Sequence, residues 1–195
     1  MVHYLFLFFG AAIVNNFVLV RFLGLCPFIG VSNQISAAFG MGIATTAVLI
    51  ISAFCCYEVN AYLLIPYDLG SMDLIFDILV IALTVQLFEI ILRVISQNLY
   101  NALGIYLPLI TTNCIVLGLV LLNGVLEFNL AEALIFATGA GSGFCLVLVL
   151  FAAIRERLNM SDVPEPFKNT AIALVTAGLM SMAFMGFAGF SGSAV

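Results

Sequence analysis

Gly24-Leu25-Cys26-Pro27-Phe28-Ile29-Gly30 and Pro108-Leu109-Ile110-Thr111-Thr112-Asn113-Cys114-Ile115-Val116-Leu117-Gly118 each set a cysteine four residues before a glycine, inside an apolar run broken by Gly and Pro. The two stretches occupy corresponding places in the two halves of a chain that is otherwise mostly hydrocarbon. Irregular backbone at membrane depth survives only where protein buries it or where it lines a cavity, because the bilayer core offers no hydrogen-bonding partner. Two broken segments in matching positions of two halves point to one shared site near the bilayer midplane. Thiolates are soft metal ligands, so that site reads as half of a metal cluster.

Composition sets the class. The 195 residues are 65% hydrophobic and 8% charged, with a mean hydropathy of +1.28. A soluble domain carries about 25% charged residues, so this chain is an integral membrane protein embedded in a lipid bilayer. Ten acids against five bases give a net charge of -5, too few and too scattered for a nucleic-acid footprint. Trp is absent, which leaves Tyr and Phe to anchor the interfaces. The start, Met1-Val2-His3-Tyr4-Leu5, has neither a basic n-region nor an A-x-A-like cleavage site, so the first span is expected to be retained.

A membrane-crossing helix needs about 20 mainly apolar residues, and such runs fall at roughly 4–29, 35–56, 72–94, 99–122, 130–152 and 168–190. Turn-forming residues separate them: Ser32-Asn33-Gln34, the acidic Glu58 to Gly70 stretch, Ser96-Gln97-Asn98, Asn123-Gly124 and Asn159 to Pro166. The first run is longer than a straight span requires, so a kink or re-entrant piece is expected around Gly24 to Gly30. Arg93 ends the third span, while Arg155, Arg157 and Lys168 flank the connection from the fifth to the sixth. The opposite connections, around Glu58–Asp68 and Glu127, hold no Lys or Arg. The positive-inside rule then places the basic loops in the cytoplasm and both termini outside.

An internal repeat follows from the same arithmetic. Setting Cys26 on Cys114 also sets Gly30 on Gly118, and with a small gap Val80-Ile81-Ala82-Leu83 falls on Ala171-Ile172-Ala173-Leu174. Three spans per half make the second half enter from the opposite side. The expected fold is therefore all-α: one membrane domain of six transmembrane helices, built as two inverted three-helix repeats, about 1–97 and 98–195, with broken first and fourth spans.

Iron–sulfur ligation takes four thiolates for a [2Fe–2S] or [4Fe–4S] cluster, so two cysteines make an incomplete site. Cys55-Cys56 falls at the far end of the second span and Cys145 lies within the fifth, away from any break. Three readings stay open for Cys26 and Cys114: an intersubunit cluster completed by a second protein, a redox disulfide, or plain packing. Gly24, Gly30 and Gly118 suit either close approach to a bulky group or tight helix packing. Glu89, one turn before Arg93 in the third span, reads as an i,i+4 ion pair or as a cation or proton site on an ion pathway. Asp73 and Asp77 lie nearer the outer interface and read as solvated. Arg21 is an interfacial snorkel or a counter-charge to an anionic cluster. Asn15, Asn16, Thr111, Thr112 and Asn113 either line a path or hydrogen-bond between helices. There is no nucleotide loop, zinc pattern, haem-attachment motif or hydrolytic triad, and His3, the sole histidine, is terminal. The chain reads as an electron- or ion-handling subunit that works with catalytic partners.

The run Asn15-Asn16-Phe17-Val18-Leu19-Val20-Arg21-Phe22-Leu23-Gly24-Leu25-Cys26-Pro27-Phe28 resembles the first span of the A-type membrane subunits of Rnf electron-transport complexes. So do Leu103-Gly104-Ile105-Tyr106-Leu107-Pro108 through Cys114, Ile154-Arg155-Glu156-Arg157-Leu158, Asp162-Val163-Pro164, and Ala171 to Met180. The likeness covers about residues 1–190, with the homologous E-type component of the sodium-pumping NADH:quinone reductase as near neighbour. It implies a subunit of a bacterial inner-membrane complex that couples electron flow between ferredoxin and NAD to Na⁺ or H⁺ movement. It implies pairing with the similar, oppositely oriented E-type Rnf component, alongside the B, C, D and G components, which carry the flavins and further iron–sulfur centres. It also implies an intramembrane [2Fe–2S] cluster, for which Cys26 and Cys114 match the ligand positions. The main competing class is a secondary transporter with inverted repeats, in which the cysteines are dispensable and no electrons flow. A third reading is a purely structural membrane subunit.

Overall fold

The structure, a computed structural model, describes residues 2–32, 34–64, 73–95, 109–110, 112–126, 128–161, 164 and 170–188. Its regular elements are helices: α1 (Val2–Phe9), α2 (Leu25–Val31), α3 (Ile35–Val59), α4 (Asp73–Ile95), α5 (Cys114–Val125), α6 (Leu130–Asn159) and α7 (Thr170–Ala188). Wider π-helical turns extend α1 over Gly10–Val14 and α3 over Asn60–Leu64. Three helical stretches, Ile35–Tyr62, Leu74–Ile91 and Leu130–Asn159, are long and apolar enough to cross a membrane. Val2–Val14, Cys114–Val125 and Thr170–Gly186 are shorter apolar helices.

The first expected span is indeed broken: helix gives way after Val14 and returns only at Leu25. The fourth breaks before Cys114, although its first part, 99–108, lies outside the described residues, as do Lys168 and Asp68. The fifth was expected to end near residue 152, yet α6 runs to Asn159. The apolar run stops there, but Arg155, Glu156, Arg157 and Leu158 are good helix formers, so the backbone continues. Arg155 and Arg157 therefore belong to a helix rather than to a connection.

α3 and α6 form the centre. Met41, Leu49, Phe136, Phe144, Leu148 and Phe151 are fully buried between them and their neighbours. In lipid the hydrophobic effect does not drive helix to helix, so close packing must hold this seam. Gly42 shows how close it is: a Cβ added there would lie 2.8 Å from Cys145 Cβ of α6. By contrast, α4 exposes Ile75, Ile78, Leu79, Leu83, Leu87 and Ile90, a face suited to hydrocarbon or to another apolar chain.

The halves exchange supports. α1 and its π-helical extension pack on α6, and the extension also reaches α7, whereas α5 packs mainly on α3 and α4. Each half thus lays its broken segment against the long helices of the other.

Candidate thiol site at two broken segments

Leaving a helix at membrane depth strands backbone N–H and C=O groups, and short polar side chains recover them here. Asn16 is buried; its Nδ2 donates to the Ala12 carbonyl at 3.0 Å and its Oδ1 accepts from Val18 N at 3.1 Å. Ser181 of α7 donates its hydroxyl to the Leu19 carbonyl at 2.6 Å. Asn16 is thus a local bracket for the break, not a solute ligand. Two left-handed residues then turn the chain into α2: Phe22 at φ 54° and Gly24 at φ 82°. A bulky side chain in that region is strained, and such strain persists only where the surroundings impose it.

α2 places Cys26 in its first turn, with Pro27 beside it at a position where a missing N–H costs little. Phe28 stacks on Phe151 of α6 with ring centroids 4.0 Å apart. At the other end of α2, Arg155 of α6 is buried, and its Nη1 donates to both the Ile29 carbonyl and Ser32 Oγ at 2.7 Å. A cation there meets the negative end of the helix dipole and its unpaired carbonyls.

The second break is tighter. Asn113 caps α5, its Oδ1 accepting from Ile115 N at 3.3 Å, and Cys114 is the first residue of the helix. Asn113 Nδ2 is buried without a hydrogen-bond partner among the described residues.

The two segments touch, and they run antiparallel. A Cβ on Gly24 would lie 3.2 Å from Asn113 Oδ1 and 3.6 Å from Ile115 Cβ; one on Gly30 would lie 3.6 Å from Leu109 Cδ1. A Cβ on Gly118 would collide with Leu23. Contacts on both sides of Cys26 therefore bracket the turn that carries Cys114. The three glycines flagged in the sequence all sit on this crossing, although only Gly24 and Gly118 are confined by it. Both thiols are free and exposed, Cys26 on α2 and Cys114 on α5. Among the described residues no group of three or more His, Cys, Asp or Glu side chains gathers to hold a metal. Two outward-facing thiols in adjacent first turns can supply half of a tetrathiolate set to something bound from outside.

The other residues singled out above are dispersed. Cys145 lies inside unbroken α6 against Gly42. Cys55 and Cys56 sit near the end of α3. Arg21 is exposed in the strained turn. Glu89 is half-buried on α4, four residues before Arg93. His3 Nδ1 lies 3.8 Å from Glu132 Oε1 at the start of α6. Thr111 lies outside the described residues. Sequence reading missed two features. Arg155 was read only as a loop charge, and Asp77 as a solvated interfacial acid. Asp77 instead is half-buried and accepts a hydrogen bond from the Cys56 thiol. Its signal is present in the sequence: Asp77 lies one turn inside α4, between the apolar runs 74–76 and 78–83.

The family described as Rnf-Nqr subunit, membrane protein, matches residues 4–191. The chain belongs to the Rnf-Nqr family of membrane subunits. It is 58% identical over 189 residues to the A-type component of the ion-translocating oxidoreductase complex of Shewanella piezotolerans, covering 97% of this chain and 98% of that one. The proteins of the same name from Actinobacillus pleuropneumoniae and Serratia proteamaculans are 57% and 54% identical, with the same coverage. The resemblance drawn from the motifs to A-type Rnf subunits is thereby borne out, as is the assignment to a membrane.

Proposed function

We propose that this chain is the membrane subunit of a bacterial redox-driven ion translocase, not catalytic alone, that carries electrons through the membrane between ferredoxin and NAD chemistry while Na⁺ or H⁺ is moved. In this reading Cys26 and Cys114 are half the ligand set of a [2Fe–2S] cluster. The other two thiolates come from a homologous, oppositely oriented partner, the E-type Rnf component, within a complex that also holds the B, C, D and G components. The relatives' shared name, which makes each a subunit of an ion-translocating oxidoreductase complex, supports the complex. One observation carries the ligand assignment: the two broken segments cross at the residues flanking both cysteines and leave both thiols exposed. The donor set fits. Thiolates suit iron, two of them require two more, and exposure puts the missing pair within a second chain's reach.

When bound, the cluster would supply a one-electron relay. The chain's part is to hold the two thiols still. Phe28 on Phe151 and Arg155 on Ile29 fix α2, and Asn113 fixes the start of α5. The exchange of supports between halves favours six spans as two inverted repeats, about 1–97 and 98–195, and the one-sided loop charge supports an inner-membrane protein with both termini periplasmic. Glu89, a half-buried acid on a span with few other charges, is a candidate for the ion path.

The test is made on the complex purified with its partner. Cys26→Ala or Cys114→Ala should each abolish the intramembrane [2Fe–2S] paramagnetic signal, lower the iron content by one cluster and stop electron transfer, while Cys145→Ala leaves all three unchanged. Full iron and normal turnover in Cys114→Ala would overturn the ligand set and favour a transporter without redox chemistry.

A further inference from the structure

At the end of the bundle away from α2, the close of α3, the start of α4, the end of α5 and the start of α6 enclose a cavity of about 610 Å³. Its polar lining consists of Asp77, Asn60, Asn123, Asn129, Tyr57 and Cys56. No Lys, Arg or His is among the described lining residues. The Cys56 thiol donates to the Asp77 carboxylate. Asn123 Oδ1 is fully buried and has no hydrogen-bond partner among the described residues. A buried, unpaired carbonyl oxygen beside a carboxylate costs free energy unless water or an ion completes it. In sequence, the stretch from Glu58 to Asp77 that closes α3 and opens α4 holds acids and no base.

A lining of one carboxylate, carboxamide oxygens and a phenol selects against anions and offers hard oxygen ligands. One carboxylate balances one positive charge, whereas dedicated divalent sites take more carboxylates or leave charge uncompensated. The volume leaves room for several waters, so the ion need not shed its whole hydration shell. Further along α3, four and eleven residues before Cys56, Ser52 and Thr45 are fully buried with hydroxyls unpaired among the described residues. They continue the polar stripe from Cys56 towards the middle of the helix. α5 joins this cavity to the thiol site: Cys114 and Asn123 are nine residues apart, about 14 Å at 1.5 Å per residue.

We infer that the Asp77–Asn123 cavity binds a partly hydrated monovalent metal cation of the Na⁺ type, held by the Asp77 carboxylate and the Asn123 carboxamide oxygen. This builds on the ion-translocating reading above by giving the ion a site at the end of the bundle away from α2, separate from the thiols and from Glu89.

Equilibrium binding of ²²Na⁺ to the intact purified complex tests it, with iron content and the paramagnetic signal measured on the same samples. Asp77→Asn should raise the half-saturating Na⁺ concentration of one site about 10-fold or more, and Asn123→Leu about 3-fold, because each removes an oxygen ligand and only the first removes charge. Asp77→Glu should bind more tightly than Asp77→Asn. Cluster signal and iron should be unchanged in all three. If Asp77→Asn fails to assemble with its partner, the Asn123→Leu isotherm decides alone. An isotherm indifferent to these substitutions, or no saturable Na⁺ binding by the wild-type complex, overturns the proposal. The cluster assignment is judged separately by Cys26→Ala and Cys114→Ala, so the two ideas fail independently.

Discussion

Around Cys26 the backbone is held by groups distant in sequence, whereas around Cys114 it is held by its own cap. The first break spans Asn15 to Gly24, includes two left-handed residues, is bracketed by Asn16 and tied by Ser181, and leads into a helix that Phe151 and Arg155 fasten from the other half. At the second break, Asn113 caps the helix that carries Cys114. Both nevertheless deliver an exposed thiol in the first turn of a helix. The two breaks thus agree in where the thiol emerges rather than in the contacts that put it there. A long break strands more backbone and needs more outside help, while a short one needs a single oxygen.

The sharpest way to break that contrast is to remove the outside help. Arg155→Met keeps the stem's packing but removes the charged donor to the Ile29 carbonyl and Ser32 Oγ, leaving the carbonyl the Ser32 hydroxyl at 3.5 Å. The expected cost is about 1.5–3 kcal/mol, since both lost bonds come from a charged group. It should appear as a lower midpoint for thermal dissociation of the complex and, under the proposed ligand set, as partial loss of iron. Both bonds come from Nη1 alone, so the guanidinium fork is not used and Arg155→Lys should recover most of the loss. Equal damage from Met and Lys would show that the contact depends on the planar fork or on the stem.

That arginine also marks the limit of what a sequence discloses. Broken spans, apolar helices and the matched cysteines are legible because each depends on local chemistry: Gly and Pro interrupt, hydrocarbon runs span, and Cys recurs at a fixed place in each half. Whether an arginine is a loop charge or a buried clamp depends on residues 123 and 126 positions away. The same holds for Asp77, whose environment is made by Cys56 and by the ends of α5 and α6. Glycines fall between these cases. The repeat aligns Gly30 with Gly118, yet a side chain at Gly30 would make ordinary contact while one at Gly118 would collide with Leu23.

Gly24 is where the two breaks meet, and Gly24→Ala tests the crossing. The residue sits at φ 82°, and a Cβ would approach Asn113 Oδ1 at 3.2 Å. Left-handed backbone costs an L-residue about 1–2 kcal/mol, so the complex should lose stability by that amount. Gly30→Ala, on the same short helix, should be close to neutral. The difference between the two substitutions in thermal dissociation isolates the turn from any general dislike of added bulk. If they matched, the crossing would not confine Gly24.

The smallest effect belongs to the self-sufficient break. Asn113→Ala removes the oxygen that accepts from Ile115 N, and loss of such a cap costs about 1 kcal/mol. Asn113→Ser keeps an accepting oxygen at the same place and discards Nδ2, which is buried and unpaired among the described residues. A buried donor without a partner is a liability, so within this chain alone the serine variant should match or slightly exceed the wild type in stability. The assembled complex makes the measurement sharper. If Asn113→Ser dissociates and loses cluster iron as readily as Asn113→Ala, then Nδ2 finds its acceptor in the partner chain, and the second break leans on outside help as the first does. If Ser behaves as wild type while Ala does not, the cap oxygen is the whole of Asn113's role, and one accepting atom suffices to hold Cys114 at the mouth of α5.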